Sequence, residues 1–466
     1  MRYSGVGGFV AAFVAAVVFK GSATMKKYLL FILSSLLLTA CSSCDLLFNN
    51  NKQKDTEPVY TPNYAWKLEL DGMQIHSQAY TEDNYLYLLQ NIEREKENGV
   101  QLIKIDMETG AYVWKADQIF DGHKWYSSNI VKADNKLYFM RKNGIIYCYS
   151  DIDGTRLARI QVGATEAEAI RNRCSLETIV TDGTALYWGS KGEPGTAPIS
   201  GHLLKLDINT IDYTKYSTIQ VCIPHSLYTK GTRYECTFWS APIIDGDILF
   251  FNTFNIKHPE GYSTLVAIDL QSEMVKWEKK LHGLRGRVNN DLIIKDNILY
   301  MLDTTALLRL DKHTGEVLTR YDDEKDPPYT QPLMIPTVYL CGIWYDDGRL
   351  YYTTVGSTET ASQTGMSKDL VYSVVCIDAK TLKFLWGFHP VSGYSSTYPV
   401  VKDGKAYIVT HIDGLRVFDA KTGKLLGVDK SIIAWGDEAN VLYKDYFIFF
   451  NKNFKTNRAT LCAIRV

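Results

Sequence analysis

Short runs of alternating apolar and polar residues recur along most of the chain, and the same turn signature follows seven of them. Each of these runs ends in Asp, or once in Ser, and Thr or Ser stands three positions later in all but one copy. An Asp at the head of a tight turn accepts hydrogen bonds from the backbone beyond it, and a Gly four positions on, present in four copies, supplies a positive φ. The copies are LIKIDMETG (102–110), IYCYSDIDG (146–154), LLKLDINTI (203–211), LVAIDLQSE (265–273), LLRLDKHTG (307–315), VVCIDAKTL (374–382) and LRVFDAKTG (415–423).

A second element precedes each copy and occurs once more near the C-terminus. It is a turn, most often Asp-Asn or Asp-Gly, followed by a short apolar run, which is a strong signal for a β-hairpin. A further apolar run stands ahead of several of these turns, such as TYPVV at 397–401, so the unit predicts four antiparallel strands. The turn-and-strand instances are DNYLYLL (83–89), DNKLYFM (134–140), GTALYWG (183–189), GDILFFN (246–252), DNILYML (296–302), DGRLYYT (347–353), DGKAYIV (403–409) and KDYFIFF (444–450).

The two ends of the chain complete one unit between them. The eighth copy of the third strand, LCAIRV (461–466), ends the chain, and NYAWKLEL (63–70) opens the repeats with Trp66. We therefore predict an all-β fold, an eight-bladed β-propeller over 63–466, in which the N-terminal strand completes the last four-stranded blade. A β-solenoid has shorter repeats, and two tandem sandwiches would not leave matched half-units at both ends. The other tryptophans at this position of the repeat are Trp114, Trp277 and Trp386.

Connection lengths differ between the two ends of a predicted blade. Turns from the first to the second strand and from the third to the fourth strand are short, and they define what we call the turn face. The remaining connections meet at the opposite end, the loop face, where insertions are tolerated and binding residues tend to lie. Long second-to-third connections span 90–100, 190–202, 253–263 and 355–370, and minimal ones span 141–144, 303–305 and 411–414. Long blade-to-blade connections span 117–127, 161–175, 221–239, 321–339 and 387–396.

Aromatic and cationic residues of the loop face are the candidates for a binding face, because aromatic and Arg side chains dominate interface energetics. The alternative role for each of them is to pack its own loop onto the disc. The candidates are His123, Trp125, Tyr126, Phe238, Trp239, Arg285, Arg287, His389 and Tyr394.

The N-terminal region carries the features of an export signal. After Met25 come two lysines, an apolar run and a stretch of small residues before Cys41, which predicts a bacterial secretory signal. The end of that signal, Leu-Thr-Ala-Cys, resembles a lipobox, which implies lipid attachment at Cys41. An ordinary signal peptide and an uncleaved membrane anchor are the alternatives.

Three segments follow from these features. Residues 1–40 form the signal region, with translation predicted to start at Met25, residues 41–62 form a polar, flexible tether, and residues 63–466 form the propeller. Ser42, not Asp, follows the lipid-bearing cysteine, which favours the outer membrane of a Gram-negative bacterium.

The repeat, a strand followed by DxxTG and then xxxW, resembles that of the pyrroloquinoline-quinone-type (PQQ-like) propellers over nearly all of 63–466. That family includes quinoprotein alcohol dehydrogenases and the non-catalytic lipoprotein BamB. The resemblance implies that the repeat Trp and Gly lock neighbouring blades and do not contact a ligand. It also implies that a dehydrogenase would carry a vicinal disulfide, a calcium site and a catalytic Asp, and this sequence has no Cys-Cys pair.

Charge and motif content narrow the function further. The net charge is -1 without a basic block, which argues against nucleic-acid binding, and no nucleophile elbow, zinc spacing or phosphate loop is present. We predict no catalytic residue, cofactor or metal, and a BamB-like scaffold that binds an envelope protein and touches the membrane through its lipid only. Glycan or small-ligand binding on the loop face, and an enzyme with a site dispersed over several blades, are the alternatives.

Export permits disulfides among the nine cysteines. Cys148, Cys376 and Cys462 occupy related third-strand positions, which predicts buried thiols that act as small apolar groups. Cys222 and Cys236 bracket a blade-to-blade connection and are either bridged or free.

Overall fold

Eight antiparallel sheets, each with four core strands, form the blades of a β-propeller, as the repeat predicts. The structure is a computed structural model, and these blades belong to one unit, Pro58–Val466. The signal region and the tether up to residue 56 lie outside the described residues. The described residues are 57–72, 79–94, 97–121, 127–174, 178–190, 201–214, 219–222, 224–230, 236–238, 242–255, 262–282, 292–303, 306–322, 341–353, 374–388, 399–410, 414–432, 440–453 and 458–466.

Each blade is numbered by its place along the chain. Strand β1 (Tyr64–Glu69) belongs to blade 8. Blade 1 contains β2 (Tyr80–Glu82), β3 (Tyr85–Arg94), β4 (Glu97–Asp106), β5 (Tyr112–Lys115) and the short β6 (Ile119–Phe120). Blade 2 contains β7 (Val131–Ala133), β8 (Lys136–Met140), β9 (Ile145–Ser150) and β10 (Arg156–Gln161), followed by helix α1 (Glu166–Asn172). Blade 3 contains β11 (Val180–Thr181), β12 (Ala185–Gly189), β13 (Gly201–Asp207) and β15 (His225–Lys230), while β14 (Ile219–Val221) joins blade 2.

The remaining blades repeat the same order. Blade 4 contains β16 (Cys236–Phe238), β17 (Ile243–Asp245), β18 (Ile248–Asn255), β19 (Tyr262–Asp269) and β20 (Met274–His282). Blade 5 contains β21 (Leu292–Lys295), β22 (Ile298–Asp303), β23 (Ala306–Asp311) and β24 (Val317–Asp322). Blade 6 contains β25 (Cys341–Asp346), β26 (Arg349–Thr353), β27 (Val374–Asp378) and β28 (Phe384–Phe388). Blade 7 contains β29 (Val400–Lys402), β30 (Lys405–Thr410), β31 (Gly414–Asp419) and β32 (Leu425–Asp429), and blade 8 contains β33 (Val441–Tyr443), β34 (Tyr446–Asn453) and β35 (Arg458–Arg465).

The ring closes within blade 8, which confirms the closure predicted from the chain ends. Strand β1 pairs antiparallel with β35, with Lys67 opposite Cys462, and is the outermost strand of that blade. Closure removes the two free edges that an open array of blades would expose.

The core is distributed between the blades. Each of the eight interfaces between neighbouring blades contains its own cluster of buried apolar residues, including the interface between blades 8 and 1. The second and third strands of a blade are therefore covered on both sides, and all five residues of β12 are buried. This double burial explains why their sequences are nearly continuous apolar runs and not strict alternations.

Trp and Gly of the repeat meet across four of these interfaces. The indole Nε1 of Trp66 donates a hydrogen bond of 2.9 Å to the carbonyl of Met107 in the next blade. A Cβ added at Gly110, which has a φ of 71°, would lie 2.5 Å from the same indole. Equivalent pairs join Trp114 to Gly154, Trp277 to Gly315 and Trp386 to Gly423.

Interfaces without this tryptophan are filled from other positions. Ala158 holds the tryptophan position in blade 2, and Ile211, which replaces the turn glycine of blade 3, packs in the same apolar cluster. Thr319 holds the position in blade 5, and Leu382 replaces the turn glycine of blade 6. Leu382 is 1% exposed and adopts a φ of 57°, so its burial offsets the strain of the left-handed backbone.

Blade 3 departs from the short third-to-fourth turn predicted for every unit. After β13 the chain leaves blade 3, pairs β14 in parallel with β10 of blade 2, and only then adds β15 to blade 3. The hydroxyl of Tyr213 holds this detour 2.7 Å from the hydroxyl of Tyr138 in blade 2. Interpreting 221–239 as a plain blade-to-blade connection was therefore wrong, because it contains the fourth strand of blade 3.

Candidate functional site

The turn face is closed by a hydrogen-bonding scheme repeated in the blades. In blade 7, Oδ1 of Asp419 accepts hydrogen bonds from the backbone N–H and the hydroxyl of Thr422, each 2.7 Å long. These bonds, first that of the hydroxyl, lower the pKa of Asp419 below its ordinary value. The N–H of Ala420 donates to the carbonyl of Gly404 in the first-to-second turn, at 2.8 Å. Since both turns satisfy their polar groups internally, this face presents short and rigid connections.

A buried ion cluster joins blades 1 and 2 just inside the turn face. Asp151 is 7% exposed, and its carboxylate accepts from Lys104, Lys132 and the hydroxyl of Tyr87 at 2.8, 2.8 and 2.5 Å. Lys132 also pairs with Glu82 of blade 1. Burial by itself would raise the pKa of Asp151, but the hydrogen bonds from the two lysines and the tyrosine outweigh it and lower the pKa.

The loop face begins with a layer of polar residues at the ends of the second strands. In blade 1 the repeat Asp, Asp106, pairs with Tyr85 of the second strand, and Gln90 stands five positions after Tyr85. The equivalent position of the second strand is polar in every blade in which it is described. Several of these side chains are almost fully buried, although the strand interior is apolar. Buried polar groups need hydrogen-bond partners, so this layer is suited to attach loops to the disc. The described side chains of this layer are those of Gln90, Arg141, Ser190, Thr253 and Asn451, and the same strand position is held by Asp303 in blade 5 and Thr410 in blade 7.

Arg141 attaches the connection between blades 1 and 2. Its side chain is fully buried, and the guanidinium donates to both carboxylate oxygens of Asp121 at 2.8 and 2.6 Å and to the hydroxyl of Ser127 at 2.7 Å. Asp121 and Ser127 flank the segment that contains His123, Trp125 and Tyr126. A bidentate Arg–carboxylate pair has defined geometry, so both ends of this connection are held to the core of blade 2.

Helix α1 covers the second-to-third turn of blade 2 at the loop face. Thr165 and Glu168 form a capping box at its N-terminus. Gly144 lies beneath the helix, where an added Cβ would come 1.9 Å from the carbonyl oxygen of Ala169. Trp188 of blade 3 donates its Nε1–H to the carbonyl of Asn172 at 2.6 Å, so the helix is packed across two blades.

The predicted binding residues lie almost entirely outside the described residues. Phe238 is the exception: it belongs to β16, which pairs with the loop-face end of β18, opposite Thr253. The outcome for the others stays a prediction, and they are His123, Trp125, Tyr126, Trp239, Arg285, Arg287, His389 and Tyr394. Arg141 was missed because its tetrapeptide, RKNG, indicates only a tight turn, and the distant Asp121 carries no repeat signature.

We expect Arg141→Lys to loosen the connection between blades 1 and 2 without unfolding the disc. Lysine keeps the charge but loses the two-pronged hydrogen bonding, and one charge-assisted hydrogen bond is worth about 1.5–3 kcal/mol. Local opening should therefore become roughly ten- to a hundred-fold more frequent, measured as faster amide hydrogen exchange in 121–128. Arg173→Lys is the control, because Arg173 donates to the carbonyl of Lys142, in the same turn as Arg141, at 3.0 Å but does not bind the connection 121–127 in the described residues. Unchanged exchange in Arg141→Lys would contradict the attachment role.

The cysteines that the structure describes in full are free thiols. The thiols of Cys148, Cys376 and Cys462 are free and buried, as predicted from their strand positions. Cys222 is also free, so the considered bridge to Cys236 is not formed.

No group of three or more His, Cys, Asp or Glu side chains within the described ranges could hold a metal ion. No helix of the described chain is long and apolar enough to span a membrane.

Solved structures with similar folds include enzymes of the quinoprotein class. A europium-containing methanol dehydrogenase matches with a TM-score of 0.61 and 13% identity, covering 88% of this chain and 95% of that one. The quinohemoprotein alcohol dehydrogenase of Comamonas testosteroni matches with a TM-score of 0.59 and 10% identity, over 86% of this chain and 76% of that one. BamB from Moraxella catarrhalis matches with a TM-score of 0.42 and 11% identity, over 75% and 97% of the two chains.

No protein-family model and no curated protein matches the sequence. The similarity to the two dehydrogenase structures, at identities of 13% and 10%, therefore concerns the fold. This chain has the architecture of an eight-bladed β-propeller that resembles those of quinoprotein dehydrogenases.

Proposed function

We propose that this chain is an exported, non-catalytic lipoprotein whose propeller binds an envelope protein through its loop face. Lipid at Cys41 would anchor it to the outer membrane, and the propeller itself would act as the scaffold. The observation that carries this proposal is the unequal construction of the two faces of the disc.

Additional elements gather at the loop face. Strand β6 pairs with Gly99 and Val100 at the loop-face end of β4, and β16 pairs with the loop-face end of β18. Helix α1 also lies there, over Gly144. Apart from the detour after β13 in blade 3, the described turns of the turn face are by contrast only two to five residues long and satisfy their own polar groups. A surface enlarged by separately anchored segments is typical of a binding face.

The chemistry of the loop-face connections supports a protein partner. Trp125, Tyr126, Trp239 and Arg287 are of the residue types that form hot spots of protein interfaces, and they come from three different connections. Segments anchored by buried groups such as Arg141 lose less conformational entropy on binding, which favours affinity.

Site-specific photocrosslinking in the native envelope tests the proposal. A photoreactive amino acid in place of Trp125 should give a discrete protein adduct, whereas the same residue in place of Ile152, a 74% exposed turn-face position, should give none. Cys41→Ser should release the protein from the membrane fraction and abolish labelling by a fatty acid. Equal adducts from both positions would contradict a specific face, and retained lipid labelling would contradict Cys41 as the anchor.

The alternative of glycan binding has a separate signature. If no protein adduct forms from the loop face, and sugar binding is detected that Trp125→Ala or Trp239→Ala abolishes, the face is a glycan site. The optical spectrum of the purified protein tests the enzymatic alternative of the quinoprotein class, since a bound quinone would absorb in the near ultraviolet.

A further inference from the structure

A short segment ahead of β1 lies along the outer edge of blade 7. The N–H of Val428 in β32 donates to the carbonyl of Pro58 at 2.8 Å, and the N–H of Tyr60 donates to the carbonyl of Val428 at 2.9 Å. Val59 thus forms a parallel bridge with Val428. Residues 58–60 therefore add to blade 7, while β1, only a few residues later, adds to blade 8.

Blade 7 is shaped to receive this segment. Gly427 holds the position of the repeat tryptophan, and a Cβ added there would lie 2.8 Å from Cβ of Tyr60. Its φ lies outside the left-handed region, so the backbone does not require glycine; the neighbouring Tyr60 does. The absence of the indole at this place leaves the room that the tyrosine occupies.

Tyr60 is tied to the interface between blades 7 and 8. It packs against the apolar cluster that joins these blades and that includes the buried Tyr407. Tyr64 of β1 packs against the same cluster. Val59 is 84% exposed, so the segment is held by its backbone and by Tyr60.

The closing strand is the weak point of a ring of this kind. Strand β1 is joined to blade 8 by hydrogen bonds and packing alone, and it is preceded by the chain that leads to the N-terminus. Terminal strands fray unless something ties them down. Any pull or fraying that starts upstream would reach β1 first if 58–60 were free.

We propose that residues 58–60 form a latch, a strand that fixes the chain to blade 7 and thereby protects the ring-closing strand β1 from opening. The latch requires Gly427 as its seat and Tyr60 as its side-chain anchor. Residues 58–60, which lie within the segment 41–62 assigned to the tether, therefore belong to the propeller. This last point rests on the tether assignment, whereas the latch itself does not.

Hydrogen exchange of the full chain tests the latch. Gly427→Val should unseat the segment, so that the amides of Tyr60 and Val428 lose protection and the amides of β1 exchange about tenfold faster or more. Tyr60→Ser, a milder change at a partly exposed position, should act in the same direction. Strand β20, the outer strand of blade 4, should exchange as in the wild type in both variants.

Thr319→Val is the matched control, because Thr319 holds the same repeat position in β24, an outer strand with no fifth strand among the described residues. It should leave the exchange of β1 unchanged. If the amides of Tyr60 and Val428 lose protection while β1 exchanges as before, the segment does not guard the closing strand. If the amides of Tyr60 and Val428 stay protected in both Gly427→Val and Tyr60→Ser, these two side-chain positions do not hold residues 58–60 on blade 7.

Discussion

Asp151→Asn should lower the free energy of unfolding by about 3–5 kcal/mol, the range for removing one partner of a buried ion pair. The substitution keeps the shape of the side chain but leaves Lys104, 7% exposed, without a negative partner, and Lys132 with Glu82 alone. Chemical denaturation followed by tryptophan fluorescence measures the loss. Lys104→Met in the Asp151→Asn background should cost less than in the wild type, since the unpaired charge is then removed.

Acid should remove the same contribution from the wild-type protein. The folded state lowers the pKa of Asp151, so its stabilisation is present above the unfolded value of about 3.9 and is lost as the pH falls through the folded value. The stability difference between wild type and Asp151→Asn should therefore shrink below about pH 4. Asp134→Asn is the control: its ion pair with Lys136, at 3.7 Å, is exposed, so its effect should stay within about 0.5 kcal/mol at any pH. A difference that does not depend on pH would contradict the role given to the carboxylate.

Gly423→Ala should destabilise the interface between blades 6 and 7 by about 2–5 kcal/mol. The alanine Cβ would lie 2.5 Å from the indole of Trp386, and the φ of 71° adds the strain of a left-handed residue. Trp386→Ala should cost about 3–5 kcal/mol, because a 7% exposed indole and its 3.0 Å hydrogen bond to the carbonyl of Ala420 are lost. Denaturation curves of the two single variants and the double variant give the coupling energy.

Gly404→Ala separates backbone strain from the contact with the indole. Gly404 has a φ of 73° and nothing within 4 Å of an added Cβ, so its replacement should cost only about 1–2 kcal/mol. In the Trp386→Ala background the cost of Gly423→Ala should fall to that of Gly404→Ala. Additive effects of Gly423→Ala and Trp386→Ala on the free energy of unfolding would contradict the contact between the two residues as the source of the destabilisation.

The repeat made most of the fold predictable. Asp and Thr at fixed spacing encode a turn whose hydrogen bonds are local, as at Asp419 and Thr422, so these strands can be located without knowledge of their neighbours. The matched half-units at the two ends predicted closure of the ring, and β1 pairs with β35 accordingly. The number of blades and their order could therefore be predicted from local turn chemistry.

The detour of blade 3 shows where this logic ends. Both Ile219–Val221 and His225–Lys230 are short strands, and which of them joins blade 3 depends on the open edge of β10 and the pairing of Tyr213 with Tyr138. The polar layer of the loop face likewise could not be predicted from local sequence. Gln90 and Arg141 share a place only when the strands are aligned in register, and no sequence motif links them.

The sequence by itself determined the eight blades, the closing strand and the positions of the repeat tryptophans, because each rests on short-range turn geometry and on apolar patterning repeated along the chain. The tertiary structure decided which residues fill each interface: Gly423 beneath Trp386, Leu382 between blades 5 and 6, Tyr60 over Gly427, and Asp151 between two lysines. These choices depend on volume and charge brought together from different blades. Such complementarity exists only once the ring has formed. The eight-bladed disc could therefore be predicted from the sequence, whereas the contacts between its blades could not.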